Sequence, residues 1–224
     1  MDIAVIENEV KTLLGAEGSG HDWEHIRRVT AIARRLAEQE DANSELAIAT
    51  ALLHDVDDRK VTGSETSEDE LPAARRILTL AGATGNEAEA VCANIQSMGY
   101  HKSLGGVTPQ TPEAKVVGDA DYLDAIGAIG VARCFTFGGS RSRPIFVPDQ
   151  KPMDELSKDA YINNVSASVN HFFEKLLRLK DLMQTRAGKE EALRRHQFMV
   201  EYLRTLFEET DAPHEWKDLL RAAA

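Results

Sequence analysis

The residues best suited to chemistry are histidines and aspartates at the ends of apolar or amphipathic stretches of the chain. The stretch ALLHDVDDRK ends an apolar run with one histidine and three aspartates, which are His54, Asp55, Asp57 and Asp58. A second His-Asp pair, His21-Asp22, opens the stretch HDWEHIRRV. An ionised carboxylate is costly to bury unless it is paired or bound to a metal ion. These carboxylates therefore require a partner from elsewhere in the chain.

A third group of acidic residues, in the stretch GDADYLD (118–124), interrupts a helical segment. Three helix ends that supply imidazole and carboxylate groups can surround one divalent ion. Mixed nitrogen and oxygen ligands suit Mn²⁺, Fe²⁺, Co²⁺ or Zn²⁺, and additional carboxylates admit Mg²⁺. A bound cation would offset the cost of placing carboxylates against apolar helices. A His-Asp pair by itself is weak evidence, so the signal lies in this combination.

The elements that must position these residues are helices. Apolar residues in 24–39 fall on one stripe with arginines opposite, which is typical of an amphipathic helix. Helix-capping signals occur at three further places: Asn43 or Ser44, Thr84 with Glu87, and Thr111-Pro112-Glu113. No stretch alternates between apolar and polar residues for long enough to form a sheet. The predicted fold is all-α.

The organisation along the chain is predicted to be one domain over residues 1–224. Its parts are a helical core of about 20–137, an irregular loop at 138–155, and C-terminal helices at about 157–209 separated near Gly188. The helix that starts at Thr111 is predicted to continue until Gly138-Gly139. An irregular stretch as long as 138–155 is more often a lid or a binding loop than a plain connector.

Composition excludes several classes of function. The 224-residue chain has a formal net charge of −11, which argues against general affinity for the nucleic-acid backbone. No apolar run reaches the roughly 20 residues needed to cross a bilayer, and the N-terminal MDIAVIENEV lacks the pattern of a signal peptide. The two cysteines, Cys92 and Cys134, are interpreted as reduced core residues, so a cytoplasmic location is expected. A small phosphorylated substrate remains compatible with the charge, because a few local cations and a metal can reverse the potential in one cleft.

The order H…HD…D resembles the HD superfamily of metal-dependent phosphohydrolases, and most closely its small YedJ/YpgQ-like branch. Four stretches are similar to blocks of that branch: HDWEHIRRV, LLHDVDDRK, DADYLDAIGAIGVAR and HFFEKLLRLKDLMQT. The likeness extends over most of residues 21–209. It implies an HD-domain helical bundle with additional C-terminal helices. It also implies a divalent-metal-dependent enzyme for which release of pyrophosphate from a (deoxy)nucleoside triphosphate is the leading reaction.

The resemblance implies four protein ligands for one divalent ion: His21, His54, Asp55 and a late aspartate. Many HD proteins place the late ligand in an Ala-Asp-x-Leu pattern, which favours Asp121 here, with Asp119 as the alternative. Mn²⁺ is the preferred ion, and Mg²⁺, Co²⁺, Fe²⁺, Ni²⁺ or Zn²⁺ are compatible with the ligands. Where relatives often have an HSF-like segment this chain has MGYHKSL, and His101 is expected at the surface.

Catalytic and substrate-contacting roles follow from the same resemblance and from charge. Asp58 lies three residues after Asp55, where other HD phosphohydrolases can carry an acid that orients the attacking water, so it is predicted to be the general base. Lys60 is the second candidate catalytic residue. Four side chains are candidates for contact with substrate phosphates: His25, Arg28, Arg141 and Arg143. His25 also shares a helix face with His21, four residues earlier, and can therefore lie beside the metal.

Two other functions remain open at this point. One is a phosphomonoesterase of the 5′-nucleotidase type, which would remove a single phosphate from a nucleoside monophosphate. The other is a non-catalytic HD module that binds metal or nucleotide. In each case the expected partner is a small phosphorylated compound, most simply a nucleotide, and neither a nucleic-acid polymer nor a membrane.

Overall fold

The computed structural model describes residues 1–15, 22–63, 67–153 and 166–224. Within these ranges the chain forms helices joined by turns and irregular segments, without β-strands, and the prediction of an all-α fold is confirmed. None of the described helices has the length and apolar composition that crossing a bilayer requires. The chain divides into two compact units, Met1–Asp121 and Tyr122–Ala224. A single domain over the whole chain stays a prediction.

The first unit is built from helices that surround α3. Its helices are α1 (Ile3–Leu14), α2 (Trp23–Gln39), α3 (Ser44–Leu53), α4 (Arg59–Thr62), α5 (Ser67–Glu70), α6 (Pro72–Leu80), α7 (Gly85–Gln96), α8 (Tyr100–Leu104) and α9 (Pro112–Asp124), whose last residues belong to the second unit. The predicted caps are confirmed: Asn43 Oδ1 accepts from the Leu46 N–H, and Thr84 forms a capping box with Glu87.

Helix α3 is the centre of this unit because it is apolar on nearly every side. It packs against α1, α2 and α7. Its buried residues are Ala47, Ala49, Thr50, Ala51, Leu52 and Leu53. A helix that is apolar all round belongs inside a protein, and each fully buried leucine contributes roughly 1.5–3 kcal/mol. This burial fixes the position of the residues that follow α3, which begin with His54.

The second unit contains α10 (Gly127–Ser140), α11 (Ser168–Glu174), a 3₁₀-helix (Leu176–Leu182), α12 (Arg186–Glu209) and α13 (His214–Ala223). Aromatic side chains form part of its core. The ring centroids of Phe146 and Trp216 are 5.0 Å apart in an edge-to-face arrangement, and Phe207 lies 5.6 Å from Phe146. The indole N–H of Trp216 also donates to the Pro148 carbonyl oxygen at 2.8 Å. These contacts hold residues 146–148 against the core of this unit.

Several predicted boundaries differ from the structure. The helix expected to run from Thr111 to Gly138-Gly139 is interrupted at Ile126, which is extended, and restarts at Gly127 with φ of 76°. A side chain at Gly127 would adopt a left-handed backbone and would contact Arg195 at 3.0 Å, so glycine is needed there. Helix α10 then continues through Gly138-Gly139 to Ser140, so the irregular segment begins at residue 141 rather than 138.

The C-terminal helices also differ from the prediction. Residues 154–165, which include the predicted start near 157, lie outside the described residues. Where the first of the two predicted C-terminal helices was expected to run up to Gly188, the described residues form α11 and the 3₁₀-helix. Helix α12 begins at Arg186 and passes through Gly188 without a break. Helix α13 lies beyond the predicted C-terminal limit of 209. This helix has 10 residues, and it buries Trp216 and Leu220.

Candidate metal centre

Two imidazoles and two carboxylates converge in the first unit. Nε2 of His25 lies 3.3 Å from Oδ2 of Asp55 and 3.6 Å from Oδ1 of Asp121. Nε2 of His54 lies 3.4 Å and 4.0 Å from the same two oxygens. Ligand atoms of His25, His54 and Asp121 all lie within 4.8 Å of one another. Three separate parts of the fold therefore supply nitrogen and oxygen atoms to one point.

His54 is oriented by the helix that precedes it. Its Nδ1 lies 2.8 Å from the carbonyl oxygen of Ala51, so this nitrogen carries the proton and Nε2 presents its lone pair. Nε2 is buried and has no hydrogen-bond partner among the described residues. Burying an unsatisfied polar atom is unfavourable. A divalent cation at the convergence would satisfy this nitrogen and offset the repulsion between the carboxylates, so the residues fit a metal ion.

His25 is positioned by the start of α2. Asp22 is the N-cap residue of this helix, and its Oδ1 accepts a hydrogen bond from the His25 backbone N–H at 2.9 Å. The His25 side chain is 1% exposed, and its ring lies 5.4 Å from that of His54 in an edge-to-face arrangement. His25 was predicted to contact substrate or to lie beside the metal. The predicted ligand His21 lies outside the described residues.

The two competing aspartates of α9 occupy different environments. The Asp121 side chain is 32% exposed and reaches the two histidines, whereas Asp119 is almost completely buried. Residues two positions apart on a helix point about 200° apart, so the two carboxylates face different sides of α9. This geometry favours Asp121 over Asp119 as a ligand.

Asp121→Ala is therefore expected to weaken Mn²⁺ binding by at least about 100-fold, since it removes a ligand and a charge. Asp119→Ala is expected to reduce stability more than Mn²⁺ affinity, because a buried polar side chain is lost from the helix interior. Calorimetric titration of both variants with Mn²⁺, together with urea unfolding of the metal-free proteins, measures the two effects. A larger loss of affinity in Asp119→Ala would reverse the assignment.

Asp57 has a role that the sequence did not reveal. Its carboxylate is 2% exposed and accepts two backbone hydrogen bonds, Oδ1 from Ala73 at 3.0 Å and Oδ2 from Ala74 at 2.9 Å. These N–H groups belong to the first turn of α6, where the preceding Leu71 is left-handed and makes no side-chain cap. Asp57 therefore caps α6 although it lies far from that helix in the sequence, and its hydrogen bonds connect the turn after His54 to α6.

The other predicted residues of the first unit lie on neighbouring elements. Asp58 is partly exposed, and its backbone N–H donates to the Asp55 carbonyl oxygen at 3.1 Å in the turn before α4. Lys60 belongs to α4, and Arg28 is partly buried one turn after His25 on α2. His101 lies on α8 and is partly buried rather than fully at the surface.

Arg141 and Arg143 belong to the second unit, directly after α10. Their guanidinium carbons lie 5.5 Å and 5.6 Å from the centroid of the Phe137 ring. Both distances are within the range of cation–π attraction. Between them, Ser142 adopts a left-handed backbone with φ of 55°. The pair is thus arranged around one aromatic ring, and its predicted role in binding phosphate stays a prediction.

Comparison with known proteins identifies the family. Residues 22–126 match the family model of the HD domain. YpgQ of Bacillus subtilis (strain 168) is 35% identical over 209 residues, which cover 93% of this chain and 92% of YpgQ. The crystal structure of YpgQ in complex with ADP has a TM-score of 0.72 and 33% identity, covering 93% of this chain and 97% of that one.

Two further solved structures are similar over nearly their whole length. A Lactobacillus plantarum protein has a TM-score of 0.82 and 34% identity, covering 94% of this chain and 97% of that one. An HD-superfamily hydrolase from Bacillus thuringiensis has a TM-score of 0.72 and 37% identity, with the same coverage. HD domains bind a divalent metal, which agrees with the donor atoms that converge here. The chain therefore belongs to the HD superfamily of metal-dependent phosphohydrolases, in its YpgQ-like branch.

Proposed function

We propose that the protein hydrolyses a (deoxy)nucleoside triphosphate to the monophosphate and pyrophosphate, using one divalent ion. The observation that carries this proposal is the convergence of His25, His54, Asp55 and Asp121 on one point. A nucleotide substrate is supported by the relative YpgQ, which was crystallised with ADP. It is also consistent with an acidic chain that contacts its anionic substrate through a metal and a few local cations.

In this proposal the four converging residues are the metal ligands. His25 takes the position for which the resemblance favoured His21, because Nε2 of His25 lies within 3.6 Å of both carboxylates. Two nitrogen and two oxygen ligands suit Mn²⁺, which we prefer, and also admit Fe²⁺, Co²⁺, Ni²⁺, Zn²⁺ or Mg²⁺. The carboxylates supply the negative charge, and the imidazoles supply the selectivity for transition metals.

Three further residues are proposed to perform the remaining steps of the reaction. When bound, the ion would supply Lewis-acid stabilisation of the phosphoryl oxygen and activation of water. Asp58 is proposed to hold the attacking water and accept its proton while the α,β-phosphoanhydride breaks and pyrophosphate leaves. Arg28 and Lys60 are proposed to bind the phosphate oxygens and stabilise the charge that develops on the leaving group.

The experiment that tests this function is turnover of a panel of nucleoside tri-, di- and monophosphates with Mn²⁺, with separate assays for pyrophosphate and orthophosphate. We expect pyrophosphate from triphosphates. Orthophosphate released from monophosphates would instead support the phosphomonoesterase. Metal and nucleotide binding by calorimetry without any product after long incubation would support the non-catalytic module.

The arginines of the second unit give a separate prediction. Replacing Arg141 and Arg143 together with alanine is expected to raise KM for a triphosphate about tenfold, because two cations proposed to bind the phosphate tail would be lost. The affinity for Mn²⁺ should be unchanged. The matched control replaces Arg186 and Arg221, two exposed arginines of the same unit, and alters net charge equally. An unchanged KM in the first variant would assign residues 141–153 to a connecting role.

A further inference from the structure

We propose that Asn94 on α7 is a positioning residue that sets the alignment of the two helices supplying His54 and Asp121. Its side-chain amide connects α3 to the first turn of α9. Its side-chain partners, Thr50 and Thr111, are not among the proposed ligands, so Asn94 would act through the helices that it joins. This inference rests on the metal-binding function proposed above.

The connection consists of consecutive hydrogen bonds through one buried amide. Asn94 is 3% exposed. Its Nδ2 donates to the hydroxyl oxygen of Thr50 at 3.3 Å, and its Oδ1 accepts from the hydroxyl of Thr111 at 2.7 Å. The Thr111 oxygen in turn accepts from the backbone N–H of Ala114 at 3.1 Å, which caps α9. The amide of Asn94 thus uses a donor and an acceptor at the same time.

The two threonines belong to the helical segments that position the proposed ligands. A shift of either segment would therefore also move His54 or Asp121. Thr50 is fully buried on α3, one helical turn before His54. Thr111 precedes α9, whose rise of about 1.5 Å per residue places Asp121 ~15 Å further along the helix. A second connection supports the first: the backbone N–H of Asn43, the N-cap of α3, donates to Oε1 of Glu113 at 2.8 Å. The N-terminal end of α9 is therefore linked to the start of α3 by Glu113 and to the body of α3, through Asn94, by Thr111.

A hydrogen-bonded connection restricts the relative position of two helices more than apolar packing does, because hydrogen bonds are directional. Apolar packing tolerates small sliding of one helix past another, whereas a short hydrogen bond is lost when its geometry changes. A metal centre requires its ligands to be held to within about 0.5 Å. Burying polar groups is costly unless they are hydrogen-bonded, and both polar atoms of the Asn94 side chain and the Thr111 hydroxyl have partners here. The hydrogen bonds of Asn94 thus hold the N-terminal end of α9 in place relative to α3 and α7.

The test compares two variants of α7 that remove different buried contacts. Asn94→Leu breaks the connection and keeps a buried side chain of similar length. Val91→Ala, the matched control on the same helix, removes only apolar packing in the core. The free energy of unfolding of the metal-free proteins is measured in urea, and Mn²⁺ binding is measured by electron paramagnetic resonance of free Mn²⁺. We expect both variants to lose stability and only Asn94→Leu to lose Mn²⁺ affinity, by about 10-fold or more.

A milder variant keeps the test informative if Asn94→Leu does not fold. Thr50→Val preserves side-chain volume and removes only the hydroxyl oxygen that accepts from Asn94, so it should lose Mn²⁺ affinity in the same direction with a smaller amplitude. Wild-type affinity in both Asn94→Leu and Thr50→Val would overturn the positioning role. A wild-type protein that binds no Mn²⁺ would instead overturn the proposed function, and with it the assignment of Asn94.

Discussion

Replacing His25 with alanine is expected to lower kcat/KM for a triphosphate at least about a thousandfold, which corresponds to about 4 kcal/mol of lost transition-state stabilisation. The reason is that Nε2 of His25 lies within 3.6 Å of both carboxylates, so its removal would deprive the proposed metal ion of one nitrogen ligand. His54→Ala should have an equal effect, because its Nε2 lies 3.4 Å and 4.0 Å from the same two carboxylate oxygens. Metal content after dialysis and initial rates measure both variants.

His21→Ala is the matched comparison, since it removes the same side chain four residues earlier. We expect it to retain Mn²⁺ and to lose far less activity than His25→Ala. Circular dichroism should show unchanged helix content in each variant, because neither substitution alters the apolar residues of α2 or α3. Loss of metal in His21→Ala with normal metal content in His25→Ala would restore the ligand set that the resemblance implied.

Replacing Asp57 with alanine is expected to lower the free energy of unfolding by about 2 kcal/mol or more. The substitution removes the acceptor of two backbone N–H groups in the first turn of α6 and leaves the buried N–H of Ala74 without that partner. Asp55→Ala, two residues earlier, should have the opposite profile. It should abolish Mn²⁺ binding and activity and leave the stability of the metal-free protein close to that of the wild type.

Urea unfolding of both metal-free variants, paired with Mn²⁺ titration, separates the two aspartates. A stable Asp57→Ala variant that fails to bind Mn²⁺ would show that Asp57 belongs to the metal centre rather than to the cap of α6. A destabilised Asp55→Ala variant would show that its carboxylate has a structural role without metal.

The sequence predicts the helices that place His54 and Asp121, because local signals specify them. Asn43 caps α3, the apolar composition of α3 requires burial, and Thr111 caps α9. The break at Ile126 could not be predicted from periodicity, since the apolar pattern continues across it. Only the left-handed conformation of Gly127 shows where α10 begins.

The proposal of His25 in place of His21 as a ligand depends on where α2 begins. Both histidines fall on one face if the helix is assumed to include residue 21. The available signal is Asp22, a preferred N-cap residue, which starts α2 at Trp23 and leaves His25 in its first turn. The role of Asp57 had no such signal, because the N–H groups that it caps lie 16 and 17 residues away.

The distribution of tryptophan gives each unit its own optical reporter. The chain has two tryptophans: Trp23, partly buried against the core of the first unit, and Trp216, buried in the aromatic cluster of the second. Single Trp→Phe variants would therefore yield emission from one unit at a time. Coincident denaturation curves from the two variants would indicate cooperative unfolding of the whole chain, and separated curves would indicate that each unit unfolds independently.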